Sequence, residues 1–447
     1  MTISRIYIIN RGEIALRIIR TCKVLGIQTV LAVSEEDKAS LPAKLADETI
    51  VIGPASAAKS YLNIPIIITT ALAAKVDAIH PGYGFLSEVS ELAKACEENG
   101  ITFIGPSAEH IEKMGNKLIA RSIAEQCGVP ILKGSSKVHS VQEAREIVEE
   151  IGLPVMLKAA AGGGGRGMKI IHSLENLEST FESATAEAKA AFGDGSMYIE
   201  RYISNARHIE VQILGDQFGN VVHLGERDCS TQRRHQKLIE EATAPNITEE
   251  LRESIRQSAV KLAEFIGYES AGTVEFIVDQ DAQTYYFLEM NTRIQVEHPV
   301  TEMVTGIDLI EQQINVANNE PLAFTQDQIA FRGHSIECRI NAESAKDNFK
   351  PTPGLIQRWD IPQGPGIRVD SHVFQGYKIP IYYDSMIAKL IVHGTNREHA
   401  IRRMLVALDE FQVEGISTTI PFIKEILNSN DFKSGQVHTK LIETVLV

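Results

Sequence analysis

The sequence predicts an α/β unit with a mostly parallel sheet, followed by strand-rich units of the α+β kind. Up to about residue 110, short apolar runs alternate with helical patterns. A glycine-rich run then separates two strand-like segments, and strand patterns dominate from about residue 198 to 297. Beyond Pro321 further strand patterns precede a long amphipathic helix. At roughly 150 residues per domain, the chain of 447 residues has room for about three domains.

The N-terminal alternation supplies the first strands and helix. The helix EIALRIIRTCKVLG starts at Glu13 and is closed by Gly26. The turn that precedes it, Asn10–Glu13, lacks the three glycines of a dinucleotide-binding turn, so no nicotinamide or flavin cofactor is expected here. The predicted strands are RIYIIN, QTVLAVS, ETIVIG, DAIHPG and ITFIGP.

The rest of the chain carries its own helix and strand signals. NKLIARSIAEQC is helical and ends at Gly128, and Ser140 with Glu143 forms a capping box for the helix that runs to Ile151. The strands PVMLKAA and MKII flank the glycine run, and LRESIRQSAVKLAEFIG is a helix. The C-terminal unit is predicted to contain the strands HSIECRINAE, LIQRWD, GIRVDSHV and AKLIVHG and the helix REHAIRRMLVALDEF.

Composition and charge exclude several functional classes. A formal net charge of −14 argues against a general binder of nucleic acid or anionic membranes. The five cysteines are scattered without a CxxC pair, as in proteins of a reducing compartment. The N-terminus does not resemble a signal peptide, and no apolar run approaches the ~20 residues that cross a bilayer. We therefore expect a cytoplasmic protein that binds neither nucleic acid nor a membrane.

The segment from Thr273 onward carries the most specific local signal. It is predicted to form two strands joined by a turn, with Glu275 and Glu289 nearly opposite on one face. Like charges at ~4–5 Å repel by roughly 3–4 kcal/mol at an effective dielectric of about 20. A cation between the carboxylates would relieve this repulsion, and Asn291 adds an amide oxygen on the same side, as Mg²⁺ prefers. On this segment alone, a surface hairpin with solvated acids explains the pattern equally well.

The residues after this hairpin alternate between polar and apolar. Arg293, Gln295 and Glu297 are separated by Ile294 and Val296. If this tail is extended, one face presents a cation, an amide and a free carboxylate beside the metal.

The glycine run is the second candidate site. It matches GxGxxG formally, but the strand-like Met168–Ile171 follows where a dinucleotide-binding fold needs a helix, and no Walker GK[ST] is present. A β-hairpin with a glycine tip remains, and its backbone N–H groups can cover phosphates. Lys158, on the preceding strand, would reach the same phosphates. We favour a phosphate-covering lid over a mobile surface loop.

The third candidate is a basic loop in an otherwise acidic chain. Its basic residues are Arg227, Arg233, Arg234, His235 and Lys237. A solvated charge run is the ordinary explanation. Because the same chain also carries a lid and an acidic metal pair, we favour a site for phosphate or a carbonate-like anion. Arginine and lysine are suited to bind such anions.

Arg339 lies on a predicted strand whose apolar residues alternate with polar ones. Glu337 and Glu343 are close enough in sequence for a plain salt bridge. Nothing local predicts that this arginine is catalytic.

In this order, the motifs resemble the ATP-grasp superfamily and, within it, the biotin carboxylase family. The resemblance runs nearly end to end, and segments this long in the family's order are highly specific. The matching segments are NRGEIALR, HPGYGFLSE, FIGPS, KAAAGGGGRGM, RHIEVQ, ERDCSTQRRHQKLIEEA, FLEMNTRIQVEHPVTE, ECRINAE and YYDSMIAKL.

The resemblance implies the fold and its division into domains. It implies an ATP-grasp fold with an N-terminal Rossmann-like (pre-ATP-grasp) domain and a C-terminal mixed β domain. We expect these domains at residues 1–113, 114–330 and 331–447, with a mobile glycine-rich lid over about 131–203.

The resemblance also implies a ligase reaction. ATP phosphorylates bicarbonate to carboxyphosphate, which breaks down to CO₂ and phosphate. The phosphate takes the N1′ proton of biotin, and the resulting ureido anion attacks CO₂. The implied cofactors are ATP and Mg²⁺ (or Mn²⁺), and biotin is a carrier-bound substrate. Carboxyphosphate is short-lived in water, so a closing lid would protect it.

Individual roles follow from the same resemblance. The implied nucleotide-binding residues are Lys117, Lys158, Gly163, Gly164, Gly165, Glu200, Arg201, Ile203, His208, Gln232 and His235. The implied metal ligands are Glu275, Glu289 and Asn291. The implied bicarbonate-binding residues are Lys237, Arg293, Gln295 and Val296. Glu297 would be the base that deprotonates bicarbonate, Arg339 would stabilise the biotin anion, and Tyr83 would lie near the biotin pocket.

One departure and several partners also follow. Arg201 stands where the family often has a lysine that contacts adenine, so the affinity for ATP is expected to differ.

The Met-Lys-Met biotin-attachment motif is absent. We therefore expect a separate biotin carboxyl carrier protein, a carboxyltransferase as a further partner, and a homodimer. The final acceptor stays open among acetyl-CoA, propionyl-CoA, pyruvate and 2-oxoglutarate.

Two alternatives compete with this interpretation. The first is an ATP-grasp ligase that acts on another carboxylate, against which Arg339 and the YYDSMIAKL segment argue. The second is a non-catalytic ATP-binding scaffold, against which the filled catalytic positions argue.

Overall fold

The computed structural model describes residues 2–160 and 168–445. In its N-terminal part, all strand pairs are parallel, as predicted. The strands are β1 (Arg5–Ile8), β2 (Gln28–Ser34), β3 (Glu48–Gly53), β4 (Ala78–His80) and β5 (Thr102–Phe103). The helices are α1 (Gly12–Val24), α2 (Leu41–Leu45), α3 (Ile64–Ala73), α4 (Ser90–Glu98) and α5 (Ala108–Gly115).

The order of the strands across this sheet is β3-β2-β1-β4-β5. The chain therefore changes direction across the sheet between β1 and β4. Ligands bind in the crevice at the carboxyl ends of strands at such a switch point. Glu13 lies in the first turn of α1, just after β1, and Tyr83 lies in the loop after β4, so both side chains belong to this crevice.

The predicted lid is a small antiparallel sheet packed against two helices. Its strand order is β7-β6-β8, and its apolar core includes Leu157, Phe181 and Ile199. The elements are α7 (Val141–Ile151), β6 (Val155–Ala159), β7 (Met168–Ile171), α8 (Leu177–Phe192) and β8 (Met197–Arg201). The capping box of α7 is only half formed, since the Glu143 carboxylate accepts from the N–H of His139 rather than from that of Ser140.

The central unit consists of long antiparallel strands flanked by helices. Its strands are β9 (Ala206–Gly215), β10 (Val221–Arg233), β11 (Gln236–Ala242), β12 (Ser270–Asp279) and β13 (Thr284–Asn291). Its helices are α6 (Lys117–Gln126), α9 (Glu249–Ile266), α10 (His298–Thr305) and α11 (Leu309–Ala317). None of the helices in the described residues is both long and apolar enough to cross a membrane.

The C-terminal unit contains the predicted strands and helix together with several short elements. Its strands are β14 (His334–Asn341), β15 (Glu343–Ser344), β16 (Lys350–Pro351), β17 (Arg358–Asp360), β18 (Ile367–Ser371), β19 (Met386–Gly394) and β20 (Gln412–Glu414). Its helices are α12 (Arg397–Glu410), α13 (Ile420–Asn428), α14 (Asn430–Lys433) and α15 (Leu441–Val445).

One sheet continues from the central unit into the C-terminal unit. Its order is β13-β12-β9-β10-β11-β14-β19-β18, and the β11–β14 pair joins the two units. The expected boundary near residue 330 therefore lies in a connection between strands of the same sheet. Because β14 continues the sheet, Arg339 lies on the same surface as the residues of β11.

A buried ion cluster fixes the β11–β14 junction. Glu241 on β11 accepts from Arg397 at 2.7 and 3.0 Å and lies 2.9 Å from the His334 ring. Burial raises the pKa of Glu241, but Arg397 and His334 outweigh it and bring the pKa to about 2. The ionised carboxylate therefore stabilises the folded state.

We expect Glu241→Gln to reduce the free energy of unfolding by about 3 kcal/mol at pH 7. The folded pKa of Glu241 lies below its unfolded value, so this contribution is present above about pH 4.3 and is lost as pH falls towards 2. Urea unfolding of both proteins at several pH values measures the difference. The exposed Glu264 in α9 supplies a control, Glu264→Gln. A Glu241→Gln difference that stayed constant down to pH 3 would contradict the expectation.

Candidate active site

A cavity of about 1480 Å³ lies where the N-terminal unit, the lid and the large sheet meet. The crevice at the switch point, the lid strands and the polar face of the sheet all contribute to its wall. The cavity-lining residues that the sequence predicted are Tyr83, Lys117, Lys158, Ile203, His208, Gln232, His235, Lys237, Glu275, Glu289, Asn291, Arg293, Gln295, Val296 and Arg339. Residues that are far apart along the chain are thus brought to one place.

Two lysines near the lid each form an ion pair with a glutamate. Lys158 on β6 lies 2.5 Å from one oxygen of the buried Glu200, and Arg121 binds the other oxygen at 2.7 Å. Glu200 therefore binds Lys158 from the side away from the cavity and does not itself line the cavity. Lys117, the first residue of α6, lies 3.5 Å from Glu289 across the cavity. Gly163, Gly164 and Gly165 lie outside the described residues.

The acidic hairpin has the predicted register. Glu275 on β12 pairs directly with Glu289 on β13, and the chain turns between Asp279 and Thr284. The two carboxylates differ in their surroundings. Glu275 is buried, accepts hydrogen bonds from Lys237 and Asn291, and lies 3.0 Å from the His208 ring. The Glu289 side chain, in contrast, is 38% exposed.

The donor set of this hairpin fits a hard divalent cation. Two carboxylates and the amide oxygen of Asn291 provide the oxygen ligands that Mg²⁺ and Mn²⁺ prefer. The Asn291 oxygen accepts from Arg293 at 3.0 Å, so binding a metal requires this contact to be exchanged. A second group of possible ligands, His208, Glu210 and Glu275, lies close together. In this group, the Lys237 ammonium already lies where a metal ion would otherwise neutralise Glu210 and Glu275.

Lys237 is the charge around which the acids are arranged. Its ammonium lies 2.5 Å from Glu210, 3.1 Å from Glu275 and 2.6 Å from Glu297. Burial alone would lower the pKa of Lys237, but the neighbouring Cys229 and these carboxylates raise that pKa well above its usual value. Lys237 is therefore a permanent cation.

Glu297 is held between two cations behind the wall of the cavity, which it does not itself line. It is fully buried and lies 2.6 Å from Lys237 and 2.9 Å from Arg339. Burial raises the pKa of Glu297, but Lys237, Arg339 and Arg227 outweigh it and hold the pKa well below its usual range. Glu297 is therefore ionised at neutral pH.

Arg339 is fixed by a second acid. Its Nε donates to Glu240 at 2.5 Å, so neither Glu337 nor Glu343 is its hydrogen-bonded partner. Burial, together with the nearby Glu297, raises the pKa of Glu240 to about 7, against the lowering effect of Arg339. The guanidinium is thus oriented at both ends, which no local sequence signal indicated.

The tail after the hairpin is not an extended strand. The chain leaves β13 at Asn291 and turns into α10, with Glu297 at the position before the first helical residue. Glu297 is therefore not the free carboxylate that alternation predicted. Arg293 points towards the N-terminal unit and binds Glu88 at 2.8 Å, while its other nitrogens contact Gln295 and Asn291.

Only part of the basic segment lines the cavity. Arg227 is fully buried and donates to Glu210 at 2.6 Å, so it supports the site from within the sheet. Arg233 contacts Asn348. Arg234, His235 and Lys237 line the cavity. Arg227 is buried because it lies inside β10, a strand covered on both faces, and not in a loop as the sequence pattern had suggested.

Two further predicted residues have distinct settings. The Tyr83 hydroxyl donates to Glu13, the residue at the start of α1. Arg201 is exposed and lines a smaller cavity of about 520 Å³ together with Asp279 and Asp281. It does not line the large cavity, while its neighbours Tyr202 and Ile203 do.

Sequence reasoning missed Glu210. It is fully buried on β9 and links Lys237 to Arg227. The available signal was the alternation in RHIEVQ, which places His208 and Glu210 on one face of the strand.

A lid sheet over a large antiparallel sheet, with lysines facing paired acids, is the architecture of the ATP-grasp enzymes.

Comparisons with known proteins agree with this architecture. The family model described as "Biotin carboxylase, N-terminal domain" matches residues 2–111, and "Biotin carboxylase C-terminal domain" matches residues 337–444. Between them, "Carbamoyl-phosphate synthase L chain, ATP binding domain" matches residues 116–325. These three matches account for most of the chain.

Full-length relatives give the same result. Biotin carboxylase 1 of Bacillus subtilis (strain 168) is 53% identical over 99% of this chain and 98% of its own length. A pyruvate carboxylase subunit of Methanothermobacter thermautotrophicus is 50% identical over 98% of this chain and 89% of its own length. The chain belongs to the biotin carboxylase family.

A solved structure confirms the fold. The biotin carboxylase domain dimer of the 2-oxoglutarate carboxylase of Hydrogenobacter thermophilus has a TM-score of 0.95 at 49% identity. The match covers 99% of this chain and 98% of that one. That structure is a complex with MgADP, ADP and bicarbonate.

Variants of the two hairpin acids separate metal binding from the buried ion network. We expect Glu289→Gln to change the Tm by less than about 2 °C, because its carboxylate is partly exposed and has only a long contact with Lys117. It should lose most of the rise in Tm that ATP with Mg²⁺ or Mn²⁺ gives to the parent protein. Glu275→Gln should lower the Tm even without ligand, since it removes one of the three carboxylates around Lys237 and the carboxylate nearest to the His208 ring.

Thermal unfolding with and without nucleotide and metal measures both effects, and EDTA supplies the metal-free control. If Glu289→Gln kept the full metal-dependent rise in Tm, Glu289 would not be a metal ligand.

Proposed function

We propose that this chain carboxylates biotin with ATP and bicarbonate, with Glu297 as the base and Arg339 as the group that stabilises the biotin anion. The observation that carries the proposal is the position of Glu297, a buried and ionised carboxylate between Lys237 and Arg339. A carboxylate that adjoins both an anion-binding lysine and a fixed guanidinium can serve bicarbonate on one side and biotin on the other.

The nucleotide side follows from the paired lysines and acids. Lys117 and Lys158 would bind ATP phosphates, and Glu275, Glu289 and Asn291 would hold Mg²⁺ or Mn²⁺. Bound metal supplies charge neutralisation for phosphoryl transfer to bicarbonate. His208, whose ring lies 3.0 Å from Glu275, would orient that carboxylate towards the nucleotide.

The bicarbonate side is built from cations with anchored partners. Lys237 and Arg293 would bind the anion, with Gln295 and the backbone of Val296 beside them. Arg293 is oriented by Glu88, and Gln295 by Arg293. Glu297 would accept the bicarbonate proton, since the neighbouring cations keep its carboxylate unprotonated until substrate arrives. The products of the first step would be carboxyphosphate and ADP.

The biotin side would use Arg339 and Tyr83. Arg339 is held by Glu240 and Glu297, so its positive charge is in place before an anion develops, which is the condition for electrostatic stabilisation. Tyr83, hydrogen-bonded to Glu13, would shape the same end of the cavity. Phosphate released from carboxyphosphate would take the N1′ proton of biotin.

The partners and location belong to the same proposal. We propose a homodimer that receives biotin on a separate carrier protein and works with a carboxyltransferase. Support comes from two relatives, of which one is part of a pyruvate carboxylase and the other is a domain dimer. A cytoplasmic location is supported by five buried free thiols and by the acidic net charge. Relatives from pyruvate and 2-oxoglutarate carboxylases leave the final acceptor open.

The first experiment measures ATP hydrolysis with Mg²⁺ and bicarbonate, with and without free biotin. We expect turnover that requires bicarbonate and rises with biotin. In Arg339→Ala, biotin stimulation should fall by about 10²–10³-fold, because the fixed charge at the developing anion is lost. In Glu297→Gln, the bicarbonate-dependent rate itself should fall by about 10²-fold or more.

Two outcomes would contradict the proposal. Turnover indifferent to biotin would indicate an ATP-grasp ligase that acts on another carboxylate. ATP binding without turnover, even when a biotinylated carrier protein is added, would indicate a scaffold.

A further inference from the structure

A lysine in the YYDSMIAKL segment, to which the sequence analysis assigned no role, lies directly beneath the active site. Lys389 on β19 is fully buried, although lysine is almost never buried in proteins without partners. Its ammonium donates to the carbonyl of Val296 at 2.7 Å and lies 3.2 Å from the Glu13 carboxylate. These contacts join the C-terminal unit to both other parts of the cavity wall.

The first contact acts on the base. Val296 immediately precedes Glu297, and the chain enters α10 at the next residue. A hydrogen bond from a rigid strand to the Val296 carbonyl therefore fixes the backbone that carries the Glu297 carboxylate. The end of β13 at Asn291 lies five residues earlier, so this turn has no ladder hydrogen bonds of its own.

The second contact acts on the biotin side. Glu13 Oε1 faces the Lys389 ammonium and also accepts the hydrogen bond of the Tyr83 hydroxyl. The other oxygen of Glu13 is buried without a hydrogen-bond partner among the described residues. Lys389 is thus the charge that balances Glu13, and through Glu13 it orients Tyr83.

The register of the sheet places Lys389 beside Arg339. Lys389 pairs with Arg339 on β14 and with Asp370 on β18, so the three side chains lie on one face. Asp370 is engaged by both ends of the Arg368 guanidinium, at 2.9 and 2.6 Å. The Lys389 ammonium therefore makes its hydrogen bond to Val296 and its ion pair with Glu13 rather than contacts sideways along the sheet.

We propose that Lys389 is a positioning residue for biotin carboxylation, which aligns Glu297 with Tyr83 through the Val296 carbonyl and Glu13. The inference rests on the proposed function. Its consequence is that the bicarbonate end and the biotin end of the site are coupled through one ammonium group.

Steady-state kinetics of Lys389→Met test the positioning role. We expect kcat/KM for bicarbonate to fall by about 10- to 100-fold, as small displacements of a catalytic group produce. The KM for ATP should change by less than about threefold, since the polar contacts of Lys389 in the described residues do not reach the nucleotide side. Arg397→Met is the matched control. Arg397 is also a cation paired with a buried acid, Glu241, but that pair lies outside the wall of the cavity.

A double-mutant cycle tests the coupling to Tyr83. Tyr83→Phe removes only the hydroxyl, and its effect on kcat/KM for biotin is measured with Lys389 and with Met at position 389. We expect the effect of Tyr83→Phe to shrink to less than about twofold in the Lys389→Met background, because the alignment is already lost. Independent, multiplicative effects would overturn the coupling.

The failures are distinguishable. Absence of bicarbonate-dependent turnover in the parent protein would reject the proposed function itself. With an active parent, unchanged bicarbonate kinetics in Lys389→Met would overturn the inference, as would a uniform loss that matches Arg397→Met. If Lys389→Met does not fold, Glu13→Gln replaces it, and unchanged kcat/KM for biotin in that variant would overturn the inference.

Discussion

The site depends on one buried lysine and the three carboxylates around it. Glu210, Glu275 and Glu297 come from three different segments, and each would lose a close cationic partner without Lys237. A lysine, with donors that rotate freely, can satisfy three acceptors from different directions. Removal of this one charge would leave Glu275, a proposed metal ligand, and Glu297, the proposed base, repelling each other. Lys237 therefore allows Glu275 and Glu297 to serve different purposes although they lie close together.

The continuity of the large sheet makes this arrangement possible. Because β11 pairs with β14 and β14 with β19, Glu240, Arg339 and Lys389 are set by strand register rather than by the packing of two independent domains. The helix α10 covers the same face, and the turn that begins it delivers Glu297 to Arg339. A rigid sheet is a better support for such geometry than a loop.

Local patterns in the sequence predicted what depends on nearby residues. The parallel N-terminal sheet and the pairing of Glu275 with Glu289 followed from strand periodicity and turn composition. The environment of Arg339 could not be predicted in this way, because its partners lie 99 and 42 residues away along the chain. The burial of Arg227 was missed for a related reason, since the sheet that covers it is formed by distant strands. Glu210 and Lys389 are buried charges of the same kind, and such a charge becomes interpretable only when the tertiary fold supplies its partner.

The cations of the cavity that bind Glu200, Glu88 and Glu297 are already paired before any substrate arrives. When an anion binds, these cations therefore exchange one anionic partner for another. Their pairing with carboxylates keeps the acidic protein stable when no substrate is bound. The same exchange would tune the base. If bicarbonate draws Lys237 away from Glu297, the carboxylate loses the interaction that depresses its pKa most strongly, and burial would then raise that pKa. A group that is too weak a base in the resting site can in this way become an adequate one, because substrate and base compete for the same ammonium.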